Sequence, residues 1–485
     1  MRVTTLIPIK TTGETTVTQI IQDSAASAAS ESAKSHPMWS SRMAFILAAS
    51  GSAVGLGNIW KFPYITGENG GAAFVLVYLL CIAIVGIPIM IAEVMIGRRG
   101  GGSPLQSMRK LVADSGLSSR WKWLGGMGML ASFLILSFYS VIGGWAMTYV
   151  GNSVSGNFVG ATTEQIGAIF GNLLGNPGEL LLWHTLFMSL VILIVARGIR
   201  SGMEKAINIL MPLLFVLLLV MVGYAMNTDH FAAGFSFLFS PDFSKLTTEG
   251  VLTALGHAFF TLSLGMGVMM AYGSYLPKQV SIVKTAVTVS VLDTVVALLA
   301  GLAIFPLVFA NGLEPGAGPG LIFQTLPLAF SQMPGGVLFG TLFFVLLVVA
   351  AVTSAISLLE PVVEWLEEKP AISRFGATLI AGLSVWLLGI VTVLSFNVWA
   401  DVTPLAMFER FEGKTLFDLL DFVTANLMMP LSGLLVAVFV GWFMSKQITE
   451  GELKLGNGLA LNVFMFVLRY LTPAAVLVVF VYNLL

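Results

Sequence analysis

Residues 48–71 read AASGSAVGLGNIWKFPYITGENGG and lie in the first long apolar stretch of the chain. Gly51, Gly55, Gly57, Pro63, Gly67, Gly70 and Gly71 all weaken a helix there, and Asn58 and Lys61 add an amide and an ammonium. A helix surrounded by lipid needs unbroken backbone hydrogen bonding and an apolar surface, and this stretch offers neither. Glycine also serves close helix packing, which is the competing explanation. The combination fits a membrane helix interrupted at mid-depth, with freed carbonyls and amides facing a polar cavity. Interruptions of that kind present backbone groups to an ion or a zwitterion.

The rest of the chain is consistent with a bilayer. Of its 485 residues 56% are hydrophobic and 10% charged, against about 25% charged in a soluble domain. Eleven apolar segments are expected over residues 41–66, 72–97, 122–153, 180–197, 204–227, 248–275, 279–311, 337–366, 371–397, 416–445 and 457–484, which makes the fold class an all-α polytopic membrane protein. A net charge of −1 without a basic block excludes nucleic acid as a partner. One cysteine, Cys81, excludes an intrachain disulfide, and four histidines (His36, His184, His230, His257) argue against a multi-histidine metal centre. Residues 1–38 are polar and read as a flexible tail without a signal-peptide pattern. Residues 229–247 read as a loop, and 311–336 as a proline-rich lid with LIFQTLPLAF as a short helix.

A second interruption lies in segment six. Ala254–Pro277 carries Ser263-Leu264-Gly265-Met266-Gly267 at its centre, after Phe259, Phe260 and Thr261. Segments one and six each begin a block of about five spans, the spacing of a transporter built from two repeats with its substrate between them. Three further polar points sit in apolar helices: Glu93, Asp293, and the pair Thr353 and Ser354. An acid in hydrocarbon must be paired, protonated or coordinating an ion. Glu93 is assigned to amides freed at the breaks; hydroxyls such as Thr353 and Ser354 either bond back to their own helix or act as ligands.

Basic residues collect on alternate loops. Arg98, Arg99, Arg109, Lys110, Arg120, Lys122, Arg197, Arg200, Lys205, Lys278, Lys369, Arg374, Lys446 and Lys454 share one side; the other holds Arg410 and Lys414 beside Asp401, Glu409 and Glu412. The positive-inside bias predicts a cytoplasmic N-terminus and, after eleven spans, an external C-terminus. Trp39, Trp121, Trp123 and Trp365 near segment ends read as interface anchors.

At these residues the chain resembles the neurotransmitter:sodium symporter family, in its bacterial amino-acid-transporting branch. The resemblance runs from Trp39 to about Tyr482 and rests on GSAVGLGNIWKFPYITGENGGAAFVLVY (Gly51–Tyr78), RSGMEKAINILMP (Arg200–Pro212), AFFTLSLGMG (Ala258–Gly267), TSAISLLEP (Thr353–Pro361) and LDFVTANLMMP (Leu420–Pro430). It implies two inverted five-helix repeats, residues 39–228 and 248–445, with an eleventh helix in 446–485. It also implies two sodium sites, one using Ala53, Asn58, Thr261 and Asp293, the other Gly51, Val54, Ala350, Thr353 and Ser354. Substrate contacts would come from Ala53, Gly55, Leu56, Gly57, Ile135, Tyr139, Phe260, Thr261, Ser263, Met266, Ser354 and Leu358. Tyr139 and Phe260 would close over the substrate, and Lys61 would face Asp421 as an external gate.

The expected function is sodium-coupled import of hydrophobic or aromatic L-amino acids by alternating access, in the inner membrane of a bacterium, with amino acid, sodium and lipid as partners. The pocket leaves leucine, tyrosine and tryptophan open. A non-transporting amino-acid sensor on the same scaffold is the alternative, opposed by the intact sodium ligands. No nucleophile–base pair or metal cluster suggests an enzyme. Four departures from the family pattern stand out. Lysine replaces arginine at position 61. Asp293 stands where asparagine is common, while His257 and Ala297 occupy positions used for chloride in animal relatives, so transport is expected to be chloride-independent. A twelfth span is missing, which leaves no basis for assigning a dimer. The N-terminal tail lies outside the matched region.

Overall fold

The computed structural model describes residues 38–315, 320–456 and 458–484. The expected tail therefore lies, except for Met38, outside the described residues. Every regular element among the described residues is helical. Among the described residues nine helices are long and apolar enough to cross a bilayer: Ala72–Gly100, Ser119–Val154, Pro177–Val195, Ile199–Ala225, Ile282–Ala310, Gly336–Glu367, Arg374–Ser395, Leu416–Phe443 and Leu459–Tyr482. A tenth span is the pair Arg42–Ala53 and Gly57–Glu68, bent by 48°. The sixth segment is two shorter helices, Thr248–Thr261 and Val268–Ser274, parted by six irregular residues. With it the eleven expected segments are all present.

Local chemistry sets many boundaries. Side chains of Ser41, Thr247, Ser281 and Ser373 each accept an amide N–H at a helix start. A short helix that sequence reasoning missed, Thr163–Gly175, opens with a capping box between Thr162 and Gln165. The loop before segment six also contains a helix, Phe231–Phe239, and the lid region folds into Leu321–Gln332, burying Leu321, Ile322, Phe323, Leu326 and Phe330. A separate helix, Lys446–Leu453, precedes the eleventh span.

Burial divides the spans into an inner and an outer set. The most apolar windows of segments three and eight are 72% and 83% buried, against 33% for segments four, five and eleven. Segments three and eight pack along one another and form the central wall, while the outer helices turn side chains such as Leu193, Ile209 and Val463 outward. Non-polar exposure on that scale suits lipid rather than water.

The two ends of the bundle are closed differently. At one end Trp145, Tyr149, Phe170, Phe323 and Phe396 interlock through ring contacts, and the Tyr149 hydroxyl donates to the Phe323 carbonyl at 2.7 Å. At the other, Trp39 Nε1 donates to the Tyr272 carbonyl (3.3 Å) and its amide to the Tyr275 carbonyl (3.2 Å). The Tyr275 hydroxyl donates to Glu360 at 2.8 Å, and Arg374 pairs with Glu360 and Glu367. Segments one, six, eight and nine are thereby tied together at that end by buried, charge-assisted bonds.

The irregular stretch of segment six depends on one buried acid. Glu93 Oε1 accepts the Gly265 N–H at 2.8 Å, as the sequence suggested for this residue. Glu93→Ala is expected to strand that amide and lower stability by roughly 1–3 kcal/mol, read as a lower melting temperature of the detergent-solubilised protein. An unchanged melting temperature would remove Glu93 from this role.

Candidate functional site

The break in segment one begins where Val54 turns extended (ψ 102°) after Ala53, and helix resumes as a wide turn over Gly57–Lys61. Gly55 and Gly57 are needed for space. A Cβ on Gly55 would lie 2.3 Å from Ser354 Oγ and 3.0 Å from the Tyr139 hydroxyl; one on Gly57 would meet the Phe260 ring at 3.2 Å. The break in segment six uses backbone conformation instead. Ser263, Gly265 and Gly267 have φ of 53°, 75° and 72°, so three left-handed residues alternate with ordinary ones and no helix can continue. A serine held in that region carries strain that the surroundings must sustain, a trait of functional sites. Its hydroxyl donates to the Ser52 carbonyl at 2.9 Å, directly linking the two breaks.

Two oxygen-rich clusters flank the breaks. In the first, Asn58 Nδ2 donates to the Asp293 carbonyl (3.0 Å) and Oδ1 (2.8 Å), and Asn58 Oδ1 accepts the Gly55 N–H (3.0 Å). Thr261 Oγ1 donates to both Asp293 carboxylate oxygens at 3.2 and 3.0 Å. Asn58, Thr261 and Asp293 are all fully buried, and no basic side chain pairs with Asp293 among the described residues. A buried carboxylate that accepts from neutral donors and has no basic partner is a natural receiver for a small cation.

In the second cluster one hydroxyl, Ser354 Oγ, lies 3.4, 3.2 and 3.4 Å from the carbonyl oxygens of Gly51, Ser52 and Val54. Its single proton cannot serve three acceptors fully, and converging carbonyl dipoles repel unless a positive group lies among them. Thr353 behaves differently, bonding back to the Val349 and Ala350 carbonyls at 3.2 and 3.0 Å. The two hydroxyls that the sequence left undecided thus separate: one reaches across to segment one, the other stays on its own helix. Ala350 and Thr353 lie beside this cluster, with the Thr353 Cβ 3.4 Å from where a Cβ of Gly51 would be.

Between the clusters is a cavity lined by Ser52, Ala53, Gly55, Leu56, Gly57, Ile135, Tyr139, Phe260, Ser263, Met266, Ser354 and Leu358. These are the residues assigned to substrate contact from sequence, except that Thr261 points instead to Asp293, and Ser52 is added. Ser52 was missed because its carbonyl is met by Ser263 and Ser354, from distant parts of the chain. The Leu56 N–H donates to the Tyr139 hydroxyl at 3.3 Å. The free space is about 20 Å³, enough for about one water molecule. Seating an amino acid therefore requires the cavity wall to rearrange.

Over the cavity, Lys61 Nζ sits 4.7 Å from the Phe260 ring centroid, a cation–π contact. Among the described residues no ion pair within 4.0 Å joins Lys61 to Asp421. The aromatic lid and the gate cation are thus in contact with each other, and the cation does not reach the acid. His257 is buried against Phe62 and Tyr78, at 6.0 and 5.4 Å between ring centroids, and Ala297 on segment seven is fully buried.

The geometry defines a class: a membrane carrier with one central cavity built from paired helix breaks and flanked by cation-receiving oxygens. Comparison with known proteins names it. The model of the sodium:neurotransmitter symporter family matches residues 36–166 and 164–485, and the chain belongs to that family. The uncharacterized sodium-dependent transporter YhdH of Bacillus subtilis is 40% identical over 445 residues, covering 91% of this chain and 96% of its own. A sodium-dependent transporter of Haemophilus influenzae is 36% identical over 458 residues, covering 93% and 99%. The crystal structure of MhsT in complex with L-phenylalanine aligns with a TM-score of 0.84 at 44% identity, covering 92% of this chain and 99% of that one. The chain is accordingly a sodium-coupled transporter of the bacterial branch, a multi-pass membrane protein with inverted repeats, and not an enzyme.

Gly55→Ala should overfill the cavity and weaken amino-acid binding roughly tenfold or more, measured by radioligand binding to the purified protein. Gly151→Ala, where an added Cβ meets nothing within 4 Å, should bind as the parent does. Equal binding by both variants would dissociate the cavity from the substrate.

Proposed function

We propose that this chain imports hydrophobic or aromatic L-amino acids with two sodium ions, independently of chloride, by alternating access around the cavity between the two helix breaks. The observation that carries it is the presence, around a small cavity lined by Ser52 and Ser354, of two buried oxygen clusters, the Gly51, Ser52 and Val54 carbonyls about Ser354 and the Asn58–Asp293–Thr261 network. Sodium takes small cages of carbonyl, amide, hydroxyl and carboxylate oxygens, and both clusters supply them. One ion is assigned to Ala53, Asn58, Thr261 and Asp293, the other to Gly51, Val54, Ala350, Thr353 and Ser354. Because Ala53 lines the cavity and is also assigned to the first ion, ordering one ligand would lower the cost of ordering the other.

The substrate carboxylate is assigned to the Leu56 and Gly57 amides and the Tyr139 hydroxyl, and the ammonium to carbonyls around Ala53, Phe260 and Thr261, with Ser263. Ile135, Met266, Ser354 and Leu358 would surround the side chain; methionine adapts to different shapes. The bound L-phenylalanine of the MhsT structure supports an aromatic class for that protein and, by likeness, for this one. The repeats are taken as residues 39–228 and 248–445, with loop 229–247, lid 311–336 and a last helix within 446–485. The N-terminus is placed in the cytoplasm and the C-terminus outside, so the Trp39–Tyr275–Glu360–Arg374 closure is the inner one.

Counterflow of labelled leucine, tyrosine and tryptophan in proteoliposomes tests the reading: exchange should require sodium. Binding without exchange would favour a sensor. Replacing chloride by gluconate at constant sodium should leave uptake unchanged, and a collapse would restore a chloride requirement. Lys61→Ala should reduce uptake several-fold more than equilibrium binding, since a gate charge acts on closure of the pathway and not on the substrate itself; equal losses would assign Lys61 to binding instead.

A further inference from the structure

The outer face of segment three carries a feature that transport does not use. At the end near Trp121, two apolar grooves run along either side of Trp123, which is 64% exposed. One, of about 630 Å³, lies between Trp121, Met127 and Leu435; the other, of about 380 Å³, lies between Phe133, Trp365 and Ile380. Both share Trp123, Gly126 and Leu130 as their common ridge. From Trp123 to Phe133 the helix rises roughly 15 Å, half of the ~30 Å hydrocarbon core, so the grooves reach the depth of one leaflet.

Cations lie beside both grooves. Arg120 lines the first groove, Lys122 Nζ lies 5.6 Å from the Trp123 ring, and Lys369 Nζ lies 4.0 Å from the Trp365 ring. Among the described residues none of the three cations is in an ion pair. Interface tryptophans explain anchoring at this level, but not why two furrows meet under unpaired cations on both sides of a single exposed ring. A phosphodiester with two acyl chains matches that arrangement in charge, spacing and depth. A second protein copy would need a ridge to fill the furrows and carboxylates to meet the cations.

We propose that this face binds one anionic phospholipid, its phosphate held by Arg120 and Lys122 with Lys369 beside them, and its two acyl chains straddling Trp123. The site sits on the helix that supplies Ile135 and Tyr139 to the cavity, so the lipid braces the central wall near the substrate.

Native mass spectrometry of the full chain in detergent, titrated with phosphatidylglycerol or phosphatidylcholine, tests this. The parent should retain one phosphatidylglycerol in preference to phosphatidylcholine. Arg120→Gln with Lys122→Gln should weaken phosphatidylglycerol about twenty-five-fold, at about fivefold for each basic residue facing an anionic headgroup. Gly126→Leu, which fills the ridge between the grooves, should weaken both lipids while sodium-dependent counterflow shows that the protein is folded. The same loss from Arg99→Gln with Arg109→Gln, which lie outside the grooves, would reduce the effect to surface charge and overturn the site. Equal retention of the two lipids by the parent, or a dimer that Gly126→Leu dissociates, would overturn it as well.

Discussion

Backbone groups cannot be left unpaired in hydrocarbon, and the rest of this structure depends on how that constraint is met at two places. Each helix break frees carbonyls and amides at mid-depth, where no water can reach them from the lipid. The breaks satisfy each other: Ser263 of one donates to Ser52 of the other, and Ser354 of a third helix reaches three carbonyls of the first. What remains under-satisfied faces the cavity, and that residue of unmet polarity is what a cation and a zwitterion can complete. Burial of segments three and eight around the breaks serves to keep this polarity away from lipid.

Carboxylates do the remaining work, each in a different way. Glu93 is structural, holding the Gly265 amide. Asp293 accepts from an amide and a hydroxyl and, among the described residues, pairs with no basic side chain, which makes it a candidate receiver for sodium. Glu360 is neutralised by Arg374 and, through Tyr275, ties the start of segment one to segments six, eight and nine. The same side chain in three settings thus supports a fold, a candidate ion site and a closure. The two ends of the pathway are unequal in consequence: buried ion pairing and backbone bonds hold one, while aromatic packing and a cation over the Phe260 ring cover the other. That difference suits a protein whose two gates must open at different times.

Much of this was legible in the residues. Eleven spans followed from apolar length, a local signal, while the serine and threonine caps that set several of their limits are seen in the structure. The breaks followed from glycines and polar residues that lipid would not tolerate, and Glu93 from the need to pair an acid. The helix Thr163–Gly175 was missed although its capping box, Thr162 to Gln165, is written in the chain; its modest length and mixed polarity hid it among loops. Ser52 was missed for a different reason: its carbonyl is met by Ser263 and Ser354 across the breaks, a contact between distant parts of the chain.

The sequence by itself determined the membrane class, the two interrupted helices and the residue types gathered at them, because hydrophobic length and backbone propensity are properties of short stretches. Only the tertiary structure decided which groups meet. It turned Thr353 back on its own helix and Ser354 across to segment one, although the two are neighbours in the chain, because adjacent positions on a helix point about 100° apart. It likewise set Lys61 on Phe260 instead of against Asp421, since an ammonium finds the nearest electron-rich face that packing presents to it.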